Sequence, residues 1–343
     1  MIGFAHCGPA RAGRPRLVDP SGRVIDYLRL SVTDHCDLRC TYCMSARPRF
    51  VPRREVLNLE ELERLVAVFI SLGVRRVRVT GGEPLARAGV LGFLDRLARH
   101  LRSGALDELT LTTNGTRLWA ASAALAAAGI HRVNVSLDSL DRDVYRRITR
   151  GGDLGDVLRG LDAAAAAGLD IKLNVVVLEG ENRKEVPALI RWAHARGLEL
   201  SLIEAMPLGA MVPDHARRFV SLVEVRRALA SEFTLVAETR QGWGPARFFR
   251  VLETGGHLGF IAPLSECFCA TCNRVRVTCT GVLHACIGRE DGVDLRAPLR
   301  SFTSDGPLVD AILQGVSRKP LGHRFRIGDT GPGIARPMSV TGG

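Results

Sequence analysis

Strand-like and helix-like segments alternate along the middle of the sequence, and this alternation restricts the fold more than any other feature. Six apolar, β-branched runs are separated by segments with the spacing of amphipathic helices. Parallel strands need long crossover connections, and such βαβ units are right-handed, so this order predicts one parallel sheet. The six runs occupy residues 27–33, 76–82, 109–115, 132–138, 171–178 and 198–206.

The segment NLEELERLVAVFISLG (58–73) shows why helices are expected between the strands. Asn58 is a suitable N-cap, and Gly73 suits the position just after a helix. Between them, apolar residues recur at helical spacing and form one face, namely Leu62, Leu65, Val66 and Phe69.

Six strands are two fewer than the eight that close a (β/α)8 barrel. The sequence therefore predicts an α/β protein, a partial (β/α)6 TIM-like barrel whose open side needs a cover. After about residue 235 the pattern changes to short β-like pieces, a helix near 305–315 and a Gly- and Pro-rich end. We expect an N-terminal arm over 1–25, the partial barrel over 26–234, and a C-terminal α+β extension over 235–343 that closes the open side.

The composition argues against several classes of protein. No apolar run is long enough to span a bilayer, and the N-terminus lacks the apolar region of a signal peptide, so a cytoplasmic protein without a membrane partner is expected. The net charge is +11, but only three of the 47 basic residues are lysine, which indicates a bias toward arginine. Aromatic residues make up 5%, with no basic run interleaved with them, which argues against a stacking platform for single strands, and no nucleic-acid partner is expected.

Three cysteines, Cys36, Cys40 and Cys43, lie just past the first predicted strand in a C-x3-C-x2-C run. Disulfides are rare in the cytoplasm, and parallel-sheet enzymes place their chemistry at the carboxyl ends of strands. Three thiolates leave a tetrahedral metal one ligand short, and a [4Fe–4S] cluster held this way has one iron free. The alternative is a structural zinc site with His35 as the fourth ligand.

A second cysteine group lies near the C-terminus. Cys269 and Cys272 form a C-x2-C pair, and Cys286 follows after thirteen residues. By itself this group could be a zinc knuckle, but beside the first group it suggests a second cluster that is also one ligand short. Cys7, Cys267 and Cys279 remain; we expect Cys267 and Cys279 near this cluster, where either could block the open position by becoming a fourth ligand.

The C-x3-C-x2-C run, followed by GGEP (81–84) after the second strand, resembles the radical S-adenosylmethionine (SAM) superfamily. The resemblance implies a [4Fe–4S] cluster on the first cysteine group, with SAM chelated by its free iron. One electron from the reduced cluster then cleaves SAM to a 5′-deoxyadenosyl radical. The glycines are expected to let the backbone approach SAM closely. The SAM contacts implied by the resemblance are Tyr42, Gly82, Ser136 and Met206.

Further motifs resemble one branch of that superfamily, the GTP 3′,8-cyclases of molybdenum cofactor biosynthesis. They include LTTNG, VNVSLDSLD, KLNVVVLEGEN, IEAMPLG and FCATCNRVRVT, in this order. The resemblance implies a second [4Fe–4S] cluster on Cys269, Cys272 and Cys286, whose open iron faces guanine. It implies conversion of GTP to 3′,8-cyclo-7,8-dihydro-GTP, the first step of molybdopterin biosynthesis, by H3′ abstraction and attack of C3′ on guanine C8.

The resemblance also implies the GTP contacts, most of them cationic. Arginine forks pair bidentately with phosphate oxygens, and a lysine on an apolar strand is costly to bury without an anion. For Arg274 and Arg276, the alternative is that they lie on a solvated strand face. Ser201 stands where the family usually has another arginine. The implied contacts are Arg29, Arg78, Thr112, Lys172, Arg274, Val275 and Arg276, with Arg29, Arg274 and Arg276 as catalytic residues.

The implied partners are GTP, a one-electron reductant protein and the next enzyme of the pathway, cyclic pyranopterin monophosphate synthase; a homodimer is a further expectation. The tail MSVTGG resembles the family's Gly-Gly terminus, which reaches the active site near Arg29, and a disordered end is the alternative. Two rival functions remain. One is a peptide-modifying radical SAM enzyme with auxiliary clusters, and the other is a non-enzymatic zinc and nucleic-acid binding module.

Overall fold

The structure, a computed structural model, describes residues 16–209, 214–239, 244–325 and 334–342. Cys7 and most of the expected N-terminal arm lie outside these residues. One sheet contains the strands β1 (Tyr27–Ser31), β2 (Arg76–Thr80), β3 (Glu108–Thr113), β4 (Arg132–Ser136), β5 (Asp170–Val177), β6 (Glu199–Glu204), β7 (Leu235–Glu238), β8 (Arg247–Val251), β9 (His257–Ile261), β10 (Arg274–Val277), β11 (Val282–His284) and β12 (Val293–Asp294).

Helices separate the first six strands, as the sequence predicts. The helices are α1 (Leu59–Ser71), α2 (Val90–Arg102), α3 (Leu118–Ala127), α4 (Arg142–Thr149), α5 (Leu154–Ala166), α6 (Val186–Ala195), α7 (His215–Arg218), α8 (Leu222–Leu229), α9 (Arg296–Ser301), α10 (Gly306–Ser317) and α11 (Met338–Thr341). The predicted start of α1 is confirmed by reciprocal hydrogen bonds. The Asn58 side chain accepts from the backbone amide of Glu61, and the Glu61 carboxylate accepts from the backbone amide of Asn58.

Strands β1 to β6 pair in chain order and are all parallel, which confirms the six predicted strands. The C-terminal part does more than cover this sheet, because β9 adds in parallel to β6 and β10 adds in parallel to β1. The parallel array therefore has eight strands. Since β9 and β10 lie at opposite edges, the connection over 262–273 has to cross the open side, and it carries three of the cysteines.

The two faces of the parallel array differ in character. One face carries buried aliphatic side chains, such as Leu28, Leu30 and Val77, that belong to the core shared with the helices. The opposite face is polar, because alternate residues of a strand point to opposite sides. Its side chains come from residues in register on neighbouring strands: Arg276, Arg29, Arg78 and Thr110 on β10 to β3, Thr112, Asn134, Lys172 and Glu199 on β3 to β6, and Ser136, Asn174 and Ser201 on β4 to β6.

Two helix glycines predict opposite effects of alanine on stability. A Cβ on Gly160 of α5 would lie 2.5 Å from the Gly115 carbonyl oxygen, whereas a Cβ on Gly92 of α2 would meet only an Arg96 nitrogen at 3.9 Å. We expect Gly160→Ala to lower the free energy of unfolding by roughly 1–3 kcal/mol through overpacking. Gly92→Ala should raise it by up to about 1 kcal/mol. Urea unfolding of both variants measures the difference, and equal effects would contradict it.

Candidate active site

The loop after β1 carries the first cysteine group and is held by the loop after β2. The amide of Gly82 donates to the Thr33 carbonyl at 2.7 Å, and the amide of Glu83 donates to the His35 carbonyl at 2.7 Å. A Cβ on Gly81 would lie 2.6 Å from the Thr33 oxygen, and one on Gly82 would lie 2.3 Å from the His35 oxygen. These glycines are needed because the cysteine loop approaches them closely, a reason that differs from the predicted approach to SAM.

The three thiols of the first group are half-buried, and N–H groups surround the sulfur of Cys36. Cys36 Sγ accepts from the Leu38 amide at 3.4 Å and from the Asn114 side-chain amide at 3.7 Å, and the Cys43 amide donates to the Cys40 carbonyl at 2.9 Å. Burial raises the pKa of the Cys36 and Cys43 thiols to about 12. Three half-buried sulfurs, with N–H donors at Cys36, fit an iron–sulfur cluster, whose irons replace the thiol protons.

Among the described residues, the contacts of His35 give no support to the structural-zinc alternative in which it is the fourth ligand. Its ring stacks on Phe50 with a centroid separation of 4.1 Å, and the Arg39 guanidinium lies 5.1 Å from the Phe50 centroid. Among the described residues, His35 belongs to no group of three ligating side chains close enough to hold one ion.

Glu83 of GGEP is a buried carboxylate that the sequence reasoning did not single out. Oε1 accepts from the Leu85 amide at 2.9 Å and from the Thr113 hydroxyl at 2.9 Å, while Oε2 accepts from the Asn114 amide at 2.7 Å. Burial raises the Glu83 pKa to about 7, although these hydrogen bonds favour the ionised form. Glu83 thus fixes the loop after β2 to the end of β3.

Asp138 is a second residue that was missed, although it lies in the quoted VNVSLDSLD motif. Its Oδ2 accepts from the Tyr42 hydroxyl at 2.7 Å, and its Oδ1 accepts from the Val176 amide at 2.8 Å. This carboxylate fixes the ring of Tyr42. The predicted SAM contacts lie at one end of the parallel array: Tyr42 in the loop after β1, Gly82 after β2, Ser136 at the end of β4 and Met206 after β6.

The second cysteine group lies at the opposite end of the strands. Cys272 precedes the amino end of β10, and Cys286 follows β11, which runs antiparallel to β10. The buried Lys319 donates to the carbonyls of Arg274 at 2.7 Å and Ala285 at 2.6 Å, and its Nζ lies 3.6 Å from Cys272 Sγ. Lys319 was also missed; the rarity of lysine in this chain was its only signal.

The charges around Cys272 favour a thiolate. Burial alone would raise its pKa, but the positive charges of Arg274 and Lys319 outweigh burial and lower the pKa to about 7. Burial raises the pKa of Cys286. The positive charge of Lys319 opposes this increase, and the negative charge of Cys272 adds to it. This donor set fits a second cluster.

The two spare cysteines differ in location. Cys279 lies beyond the carboxyl end of β10 and is fully buried next to Asp34 and Arg87, and its backbone carbonyl accepts from the Leu57 amide at 2.8 Å. The expectation that it lies near the second cluster is therefore wrong. Cys267 is exposed and lies beside Cys269, as expected.

Three arginines of the predicted GTP site lie side by side between the two cysteine groups. Arg276, Arg29 and Arg78 are in register on β10, β1 and β2. Burial, then the charges of Arg276 and Arg78, lower the pKa of Arg29 well below its ordinary value. Burial, then Arg274, lowers the pKa of Arg276 to about 9. The alternative of a solvated strand face is wrong for Arg276.

The other predicted GTP contacts differ in the polar groups that they leave available for a ligand. Thr112 Oγ1 and Ser201 Oγ are buried on the polar face without a hydrogen-bond partner among the described residues, and such orphaned hydroxyls suit a ligand. Lys172 Nζ lies 3.1 Å from Glu199 Oε1, so its counter-charge comes from the protein and the burial argument for a phosphate there is wrong. The side chain of Val275 is buried on the apolar face, which leaves only its backbone for a ligand.

The C-terminal tail enters the space beside these arginines. Arg276 Nη1 donates to the Gly342 carbonyl, and the Ser339 backbone hydrogen bonds with the Cys43 thiol. Gly342 has φ 75°, and a Cβ there would lie 1.8 Å from Thr80 Oγ1, so only glycine fits. The disordered-end alternative is wrong for 334–342, while Gly343 lies outside the described residues.

Comparison with known proteins matches this geometry. Residues 30–193 match the Radical SAM superfamily, and residues 198–325 match Molybdenum Cofactor Synthesis C. The fold is similar to that of SuiB from Streptococcus suis, solved with its precursor peptide, at a TM-score of 0.60 and 14% identity over 88% of this chain and 73% of that one. The chain is a radical SAM enzyme, a class that uses SAM and a [4Fe–4S] cluster.

The more specific family follows from close relatives. The chain is 55% identical to the GTP 3′,8-cyclase of Caulobacter vibrioides over 97% of this chain and 95% of that protein. It is 53% identical to that of Rhodopseudomonas palustris over 100% of both, and 52% identical to that of Brucella suis over 95% and 96%. The chain belongs to the GTP 3′,8-cyclase family.

In the described residues, no helix has the length and apolar character of a membrane span.

Glu83→Gln should flatten the pH dependence of stability. Because burial raises the folded-state pKa from about 4.5 to about 7, the folded chain holds a proton that the unfolded chain releases. The Glu83 contribution to stability is therefore lost as pH rises from about 4.5 to about 7, by at most about 3 kcal/mol. Urea unfolding of metal-free protein at pH 5 and pH 8 should show wild type losing stability relative to the variant. A constant difference between them would contradict the assignment.

Proposed function

We propose that this chain cyclises GTP between its two cysteine groups, in the step that opens molybdenum cofactor synthesis. The observation that carries the proposal is the row of Arg276, Arg29 and Arg78 between those groups. Half-buried neighbouring guanidiniums repel one another, and a polyanion beside them reduces that repulsion. A triphosphate is such a polyanion, and bidentate pairing with arginine forks fixes its orientation.

One set of residues would hold the cofactors, and a second set would hold the substrate. Cys36, Cys40 and Cys43 would hold one [4Fe–4S] cluster, and Cys269, Cys272 and Cys286 a second. When bound, the first cluster would supply the electron that cleaves SAM, and SAM would supply the radical that acts on the ribose. Tyr42, Gly82, Ser136 and Met206 hold SAM at the end of the strands where the first group lies.

The substrate is held by the polar face. Arg29, Arg78, Arg274 and Arg276 bind and orient GTP, while Thr112 and Lys172 add polar contacts and Val275 contributes its backbone. The Gly342 carbonyl reaches Arg276 and excludes water on that side. A one-electron reductant protein supplies the electron, and cyclic pyranopterin monophosphate synthase takes the product.

Arg276→Ala should raise the KM for GTP by roughly 10- to 100-fold, the effect of losing a charged hydrogen bond. Arg274→Ala should act in the same direction, although Arg274 also lowers the Cys272 pKa. Steady-state kinetics under anaerobic conditions, with the iron content of each variant measured, test this. The matched control is Arg99→Ala, because Arg99 lies on α2 and pairs with Glu63 outside the barrel. An unchanged KM for Arg276→Ala at full iron content would contradict the role of the row.

The whole activity is tested by one incubation. Anaerobically purified protein should contain about eight irons, two four-iron clusters. With SAM, GTP and a reductant, it should form 5′-deoxyadenosine and a cyclised nucleotide. Iron-loaded protein that makes neither product would overturn the proposal, and protein that holds zinc in place of iron in both cysteine groups would favour the zinc-binding rival.

A further inference from the structure

A second set of ligating groups shares Cys269 with the second cysteine group. The sulfurs of Cys267 and Cys269 and a ring nitrogen of His323 all lie within 4.8 Å of one another. This spacing suits ligands of one ion, whereas a four-iron cluster spreads its thiolates over separate irons. Cys267 is exposed, while Cys269 and His323 are half-buried, so the group is open to solvent on one side.

The hydrogen bond of His323 indicates which ring nitrogen is available as a ligand. Its Nε2 lies 2.7 Å from the Pro263 carbonyl oxygen, and because a carbonyl only accepts, Nε2 carries the proton. Nδ1 then has the lone pair, and among the described residues it is buried without a hydrogen-bond partner. Metal-binding histidines commonly donate their other N–H to a backbone carbonyl in this way. His323 is therefore prepared to act as a ligand.

The fold holds the two segments of this group together. The Arg23 guanidinium donates to the Cys269 carbonyl at 2.7 Å and to the Leu321 carbonyl at 3.0 Å, joining the cysteine loop to the segment of His323. A Cβ on Gly322 would lie 3.4 Å from the Cys269 Cβ, so the two segments are in contact. The ligating atoms come from elements fixed to each other before any metal binds.

We propose that Cys267, Cys269 and His323 bind one Zn²⁺ when the second cluster is absent, with the fourth position taken by water. Two thiol protons leave as the ion binds. Two thiolates and one imidazole form a donor set that zinc takes in proteins. Because Cys269 is also a predicted ligand of the second cluster, zinc and this cluster exclude each other. The zinc site stands without the proposed cyclase activity; only the exclusion depends on the predicted cluster ligands.

Cobalt binding tests the site directly. The full chain, with Cys36, Cys40 and Cys43 replaced by serine to silence the first group, is prepared free of clusters under anaerobic, reducing conditions. Titration with Co²⁺ should give one equivalent of tight binding with thiolate-to-cobalt charge-transfer absorption, and Zn²⁺ should displace it. Absence of such absorption would overturn the proposal.

Two cysteine variants in that background separate the proposed site from the cluster ligands. Cys267→Ser should weaken Co²⁺ binding by more than the roughly 10- to 100-fold caused by losing an outer-shell partner. His323→Ala should do the same, because each removes a direct ligand. Cys272→Ser should leave binding unchanged. The reverse, loss with Cys272→Ser and none with Cys267→Ser, would assign zinc to Cys269, Cys272 and Cys286 and overturn the proposal.

Iron uptake tests the exclusion. In the same background, zinc-free protein should take up about four irons on reconstitution, and zinc-loaded protein should take up almost none. Cys267→Ser should take up iron equally with and without added Zn²⁺. Full iron uptake by zinc-loaded protein would overturn the exclusion. Because neither metal measurement uses GTP, a failure of the cyclase proposal in the activity assay would be recognised separately.

Discussion

The site depends on a parallel sheet whose two faces have opposite character. Burying several guanidiniums on one face is unfavourable, since each loses hydration and each repels the next. The aliphatic residues on the other face, packed against the helices, supply the hydrophobic stabilisation that this arrangement needs. The strands that carry Arg29, Arg78 and Arg276 are thereby fixed by packing on the opposite face of the sheet.

The two cysteine groups lie at opposite ends of the strands that carry that charged face. The first group follows β1 at its carboxyl end, where parallel-sheet enzymes usually carry their chemistry. The second departs from that rule, because Cys272 comes before β10, a strand that adds in parallel to β1. The connection from β9 to β10 has to run from one edge of the parallel array to the other. It also has to run from the carboxyl ends of the strands to their amino ends. A single crossing segment therefore both covers the open side and delivers cysteines opposite the first group.

Much of this architecture could be predicted from the sequence, because it depends on local patterns. The apolar runs and the Asn58 cap predict the six strands and α1, and the first cysteine run with GGEP indicates the radical SAM superfamily by resemblance. The pairing of β9 and β10 with the barrel edges could not be predicted, since their partners are distant in the chain. The same holds for Lys319, whose contact with Cys272 depends on where α10 ends relative to β10.

Lys172 and Ser201 show how register limits arguments from burial. A lysine on an apolar strand needs an anion, but Glu199 supplies it from the next strand, and only the β5–β6 register reveals this pair. Ser201 replaces a family arginine, yet its buried hydroxyl lies on the same polar face as Thr112 without a partner among the described residues. An arginine there would add a further cation to a crowded face. In this chain the Arg276–Arg29–Arg78 row is therefore the part of the polar face best able to hold a triphosphate, and Ser201 can give at most a neutral hydrogen bond.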